Sequence, residues 1–236
     1  VGLAFRAMAE RDLRDTWWVP VPHDLGAFPK KAALCLAPDG LQVAAPVAAA
    51  LRDAAARLRA SGWEVVERDC PPLRKPAELQ LVLWLADYRR GAAAAVGEEA
   101  DPDATFYFEQ MCALSPDPSR NDVLDNLQAR AGFVRAWSLF LDEFPILLCP
   151  VSAEPPFPDQ IDVSSPAAFR RVWEAQLTQI GLPFMGLPGL TVSTGLADGL
   201  PIGVMLVAGR YREDVLLAAG ADIERGGTPP TPIDPR

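Results

Sequence analysis

Apolar and polar residues alternate with two different periods along this chain, and the changes of period mark out its elements. Lys31 to Leu36 is a short apolar run that reads as a buried strand, ended by the turn residues Pro38-Asp39-Gly40. From Ala44 to Ser61, the residues Val47, Leu51, Ala54 and Leu58 recur at three and four positions, so one helical face is apolar and Gly62 serves as its stop. Trp63 to Glu67 then reads as the next strand. Strand, helix and strand in such a short span predict a βαβ unit, hence a right-handed crossover and a parallel pair.

The middle of the chain predicts helices over Ala77 to Val96, over about Asp103 to Leu114, and over Asn121 to Phe144. The last carries two stripes: Leu124, Leu127, Ala131, Val134 and Leu141 form one, while Phe133, Trp137, Phe140 and Phe144 form the other. A helix this apolar is expected to be buried between layers or to have a partner. Pro145 to Pro150 is a buried strand by length and flanking prolines. Ser165-Pro166 supplies a capping hydroxyl and a first-turn proline for a helix to about Ile180, and the glycines and prolines from Gly181 to Gly189 are expected to shape a close-packed turn. Leu190 to Thr194 and Ile202 to Val207 flank Asp198-Gly199, a hairpin signal, and Tyr211 to Arg225 is a final helix. These elements predict an α/β fold over residues 1–225, a mixed sheet covered by helices, followed by a proline-rich tail at 226–236. The first ten residues resemble the later turns of a helix without a capped start, so the chain is expected to be a fragment.

Composition narrows the partners. Half of the 236 residues are apolar, and 31 acidic against 22 basic residues give a formal charge of −9. That charge repels phosphate backbones and anionic bilayers, and no apolar run reaches the length of a membrane span. The expectation is a cytoplasmic protein with no nucleic-acid or membrane partner. Cys35, Cys70, Cys112 and Cys149 show no metal-ligand spacing and are expected to be reduced.

Gly186-Leu187-Pro188-Gly189-Leu190-Thr191-Val192 and Gly199-Leu200-Pro201-Ile202-Gly203-Val204-Met205-Leu206-Val207 resemble, in order and spacing, the C-terminal part of the amidase signature family. Asp12 to Pro22, Lys31 to Asp39 and Pro145 to Pro155 extend the resemblance through almost the whole chain. The resemblance implies a serine hydrolase that cleaves a small-molecule carboxamide through an acyl-enzyme, needing no metal or organic cofactor. It implies a serine nucleophile, a bridging serine and a neutral lysine, with backbone N–H donors in a Gly/Ser-rich run.

None of that machinery is legible here. Lys30, Lys31 and Lys75 are the only lysines, no serine stands in a Gly/Ser-rich run, and the single histidine, His23, lies in a loop. The catalytic trio is therefore expected in a missing N-terminal half, leaving this chain to supply scaffold and pocket wall. Exposed strand edges and helix faces are expected to pair with that half or to drive association as a homodimer. By resemblance, Ser152, Trp173, Gln176 and Phe184 are expected to face the ligand, the two aromatics as apolar walls and Gln176 as a hydrogen-bonding group. Two alternatives stand beside the amidase: the glutaminase subunit of a tRNA-dependent amidotransferase, against which neutral Gln176 counts, and a non-catalytic binding module.

Overall fold

The computed structural model describes residues 1–23, 25–115 and 117–227, so the expected tail lies outside the described residues from 228 onward. The first helix, α1 (Gly2–Met8), buries none of its residues, and Leu3 and Met8 are 84% and 80% exposed. Next come β1 (Lys31–Leu34), α2 (Ala45–Ala60) and β2 (Glu64–Glu67), with β1 and β2 paired in parallel from Lys31 opposite Glu64. Gly62, at φ 86°, turns the chain out of α2 in a conformation that a side chain would strain.

The helix expected over Ala77 to Val96 is two helices, α3 (Arg74–Asp87) and α4 (Ala93–Glu99), joined by a wide turn at Tyr88–Ala92. Asp101 caps α5 (Pro102–Leu114) by accepting from the Ala104 N–H at 2.7 Å. Ser119 and Asp122 exchange side-chain and backbone hydrogen bonds to start α6 (Arg120–Glu143). Of its two stripes, Trp137 and Leu141 are buried with Phe144, whereas Leu124 and Leu127 are 57% and 50% exposed. Burial of α6 begins at Phe133, where it meets the helical layer on the sheet, so of the first stripe Val134 and Leu141 pack on that core while Leu124, Leu127 and Ala131 are not enclosed between layers.

After β3 (Ile146–Pro150) the chain forms α7 (Ile161–Ser164), α8 (Pro166–Ala175) and α9 (Leu177–Met185). Two expectations are corrected here. The helix from Ser165 does not run unbroken to Ile180 but bends at Gln176, and Gly181 to Met185 is helical rather than a turn. The reason for Gly181 is close approach between helices: a Cβ there would lie 2.7 Å from the Leu73 carbonyl oxygen. Gly186, at φ 66°, ends α9.

The hairpin β4 (Gly189–Ala197) and β5 (Leu200–Val207) turns at Asp198 and Gly199, both at positive φ, and α10 (Glu213–Glu224) closes the described fold. The sheet order is β2-β1-β3-β5-β4: β1 lies parallel to β2 and β3, and β5 lies antiparallel to β3 and β4. Because successive strand residues point to opposite faces, Ala32, Leu34, Ile146, Leu148, Val204 and Leu206 pack against α2 and α10. Ala33, Leu147, Cys149, Met205 and Val207 pack on the other face with residues of α3, α6 and α9. Both faces of the mixed sheet are covered, which is why β3 is buried at every position. Among the described residues no helix is long and apolar enough to cross a membrane.

Candidate functional site

The loop leaving β3 is held by backbone and side-chain bonds to the junction of α8 and α9. Ala153 donates to the Ala175 carbonyl at 2.8 Å, and Ala44, just before α2, donates to the Ala153 carbonyl at 2.8 Å. Thr178, with no exposed surface, shares its hydroxyl between the carbonyls of Pro150 at 2.8 Å and Val151 at 2.9 Å. Gln179 Nε2 also donates to the Val151 carbonyl at 3.1 Å. Buried carbonyls left by the end of β3 are thus satisfied by α9 side chains, and this anchoring accompanies the bend at Gln176 (φ −95°, ψ 15°).

Two depressions meet at that bend. One, of about 270 Å³, is lined by Ser152, Phe157, Gln176, Gln179, Thr191 and Ile202 among others. The second, of about 410 Å³, is lined by Trp84, Tyr107, Phe169, Trp173, Gln176 and Gln179 with their neighbours. Gln176 and Gln179 border both. The second has aromatic walls: Phe169 and Trp173 are nearly parallel at 6.2 Å, and Tyr107 meets Phe169 edge-on at 5.3 Å. Burial, with the Asp162 carboxylate as the lesser cause, pushes the Tyr107 phenol up, which keeps its O–H available as a donor.

Ion pairs hold the helix behind these walls. Arg171 on α8 binds Glu154 of the β3 loop through Nε at 2.9 Å and Nη2 at 2.5 Å. Arg74 at the start of α3 binds Glu174 with two nitrogens, at 2.7 and 2.5 Å. The hydrogen bonds from these guanidiniums hold both carboxyls below the usual carboxylate range.

Of the residues singled out from sequence, Ser152 and Gln176 share the first depression, and Trp173 and Gln176 share the second. Ser152 Oγ accepts from the Glu154 N–H at 3.2 Å. Phe184 lines neither; it is 1% exposed in the core, edge-on to Phe133 at 6.5 Å, and its carbonyl accepts from Arg130. The sequence reading does not single out Gln179, although its place three residues after Gln176 is a helical-neighbour spacing. Trp84 and Tyr107 come from α3 and α5, and nothing local in sequence links them to Trp173.

None of the three lysines lines either depression. Lys30 pairs with Asp222 at 3.1 Å, Lys31 with Glu143 at 3.8 Å and Lys75 with Glu78 at 3.0 Å. His23 stands edge-on to Phe5 at 5.7 Å, in a third hollow bordered by α1 and the start of α10. Among the described residues no group of three His, Cys, Asp or Glu side chains is placed to hold a metal ion.

Comparison with known proteins adds what geometry alone does not. The family model described as Amidase matches residues 1–217. The chain is 35% identical over 228 residues to an indoleacetamide hydrolase of Bradyrhizobium diazoefficiens, covering 95% of this chain and 43% of that protein. It is 25% identical over 197 residues to one of the subunits of the glutamyl-tRNA(Gln) amidotransferase of Corynebacterium glutamicum, covering 72% of this chain and 39% of that one. A solved bacterial aryl acylamidase of the amidase signature enzymes shares the fold at TM-score 0.65 and 21% identity, over 87% of this chain and 45% of its own. The chain therefore spans less than half the length of these relatives. On the match over residues 1–217, the chain belongs to the amidase family.

Proposed function

We propose that this chain supplies the scaffold and one pocket wall of a serine amidohydrolase, which converts a carboxamide to a carboxylate and ammonia or an amine, and that it is inactive alone. The observation that carries the reading is the amidase match over residues 1–217, in a chain whose Ser152, Trp173 and Gln176 gather at one helix junction. The pairing of Lys30, Lys31 and Lys75 with carboxylates, none of these lysines lining either depression, supports placing the catalytic serines and lysine in another part of the protein.

The substrate proposed is an arylacetamide such as indole-3-acetamide. The aromatic walls of Phe169 and Trp173 suit a flat ring, and Gln176 offers both a donor and an acceptor to an amide. Phe184, in the core beneath, is proposed to support that wall rather than touch solvent. Similarity to the amidotransferase favours a second reading, a glutaminase. Glutamine carries two charged ends that demand charged partners, and neutral Gln176 supplies none.

Complementation tests the proposal. The purified chain should release no ammonia from indole-3-acetamide. Co-expressed with the part of an indoleacetamide hydrolase that it does not match, it should form a complex of one copy each that does. Ammonia release by the isolated chain would refute the inactive-alone claim, and a complex that hydrolyses glutamine but not arylacetamides would favour the glutaminase.

A further inference from the structure

The second depression at the junction of α8 and α9 carries a single charge. Of the residues that line it, Asp162 alone is of a charged type, and it stands among the rings of Trp84, Tyr107, Phe169 and Trp173. Among the described residues the Asp162 carboxylate accepts no hydrogen bond and joins no ion pair, although it is half-buried. Arg171, on the helix that follows, is committed to Glu154 instead. A half-buried carboxylate without a partner, in a hollow walled by aromatic rings, is an acceptor waiting for a donor.

The chain is bent to place it there. Gln160 enters α7 at φ 54° and ψ 20°, a left-handed conformation that a residue with a side chain adopts only where its surroundings hold it. Ser164 Oγ donates to the Ile161 carbonyl at 2.6 Å, and Ser165 Oγ accepts from the Ala168 N–H at 3.2 Å to start α8. Phe169 then donates its N–H to the Ser165 carbonyl at 2.9 Å. One bonded stretch therefore carries both the carboxylate and an aromatic wall. The charge is felt across the hollow as well, since after burial it is the second cause that raises the Tyr107 phenol.

We propose that Asp162 is a specificity-determining residue of this pocket, accepting the ring N–H of an indole whose flat face lies on Phe169 and Trp173. The inference rests on the arylacetamide reading given above and narrows it to rings that carry an N–H donor. An indole nitrogen donates and does not accept, so a group that only accepts is its complement. The other polar side chains of the hollow, Tyr107, Gln176 and Gln179, are neutral, and a hydrogen bond to a charged acceptor is the stronger kind. Gln176 borders the first depression too and is left for the carboxamide end of the ligand. A ring of the same shape without the N–H would shield the carboxylate from water and give it nothing in return.

The experiment titrates the intact chain with indole-3-acetamide and with benzofuran-3-acetamide, the same bicycle with a ring oxygen in place of the N–H, and reads each Kd by ligand-observed NMR. The parent should bind the indole about tenfold more tightly, the lower end of what a hydrogen bond to a charged group gives, because Asp162 keeps some contact with water. Asp162→Ala should bring the two Kd values together by weakening only the indole. Asp162→Asn, isosteric and uncharged, should reduce the preference to about threefold or less, and it serves where Asp162→Ala does not fold. Trp173→Ala should weaken both ligands alike. A parent that binds both ligands equally, with Trp173→Ala weakening both, would overturn the role of Asp162 and leave the arylacetamide reading standing. A preference that survives undiminished in the Asp162 variants would assign the N–H to another acceptor and overturn the role equally. A parent that binds neither ligand would overturn the arylacetamide reading, and the role of Asp162 with it.

Discussion

Gly181→Ala places a methyl group where α9 crosses the start of α3, and its effect follows from three distances. The added Cβ would stand 2.7 Å from the Leu73 carbonyl oxygen, 3.1 Å from Leu73 Cδ2 and 3.4 Å from the Leu73 carbonyl carbon. The nearest obstacle is backbone, and it is held in place: the same oxygen accepts the Ala77 N–H at 2.9 Å, the first hydrogen bond of α3. Relief requires the helices to part by roughly 0.7 Å, and overpacking of this kind costs about 1–3 kcal/mol. Alanine's better helix propensity returns about 1 kcal/mol, so the expected net effect is a loss of up to about 2 kcal/mol. Gly132→Ala is the internal control, because Gly132 lies within α6 with nothing within 4 Å of an added Cβ. There the propensity gain stands alone and should stabilise by about 0.5–1 kcal/mol. Urea unfolding of the two variants beside the parent should give midpoints displaced in opposite directions, or melting temperatures moved by about 2–4 °C per kcal/mol. If Gly181→Ala stabilises the chain as much as Gly132→Ala, the close approach of α3 and α9 does not constrain the fold.

Asp222→Ala should destabilise by about 3 kcal/mol in the same assay, because this 4% exposed carboxylate accepts from Trp63 Nε1 at 2.7 Å and pairs with Lys30 and Arg225; unchanged stability would show that the buried network contributes nothing. In a complemented enzyme, Gln176→Ala should raise KM for arylacetamides about tenfold or more while leaving assembly intact, and unaltered kinetic constants for every amide would remove Gln176 from the pocket. The Glu154–Arg171 pair should show the pH dependence of a depressed carboxyl. Its folded pKa lies below the unfolded value of about 4.3, so its contribution is complete above that value and is lost as pH falls through the folded one. The stability difference between the parent and Glu154→Gln should therefore be constant near neutrality and shrink below about pH 4; a difference that grows on acidification would contradict the assignment.

Local rules are legible in the sequence. The run from Lys31, the helical face of Val47, Leu51, Ala54 and Leu58, and the Pro145–Pro150 strand all form the elements their periods imply, because burial on one face or two leaves its mark residue by residue. Asp198-Gly199 turns the hairpin as its chemistry requires, with both residues at positive φ. Tertiary contacts decide the rest. The motif spacing around Gly181 to Gly189 points to the right family but reads locally as a turn, whereas Gly181 to Met185 completes α9, close-packed at Gly181 against the Leu73 backbone. The bend at Gln176, where the two depressions meet, goes with the demand of the Pro150 and Val151 carbonyls for the Thr178 hydroxyl, a pairing across 28 and 27 residues. The exposure of Leu124 and Leu127 depends on where the helical layer ends, and the aromatic walls combine α3, α5 and α8. Such features belong to no segment of sequence; they arise only when distant segments must satisfy one another's buried groups and share one packed volume.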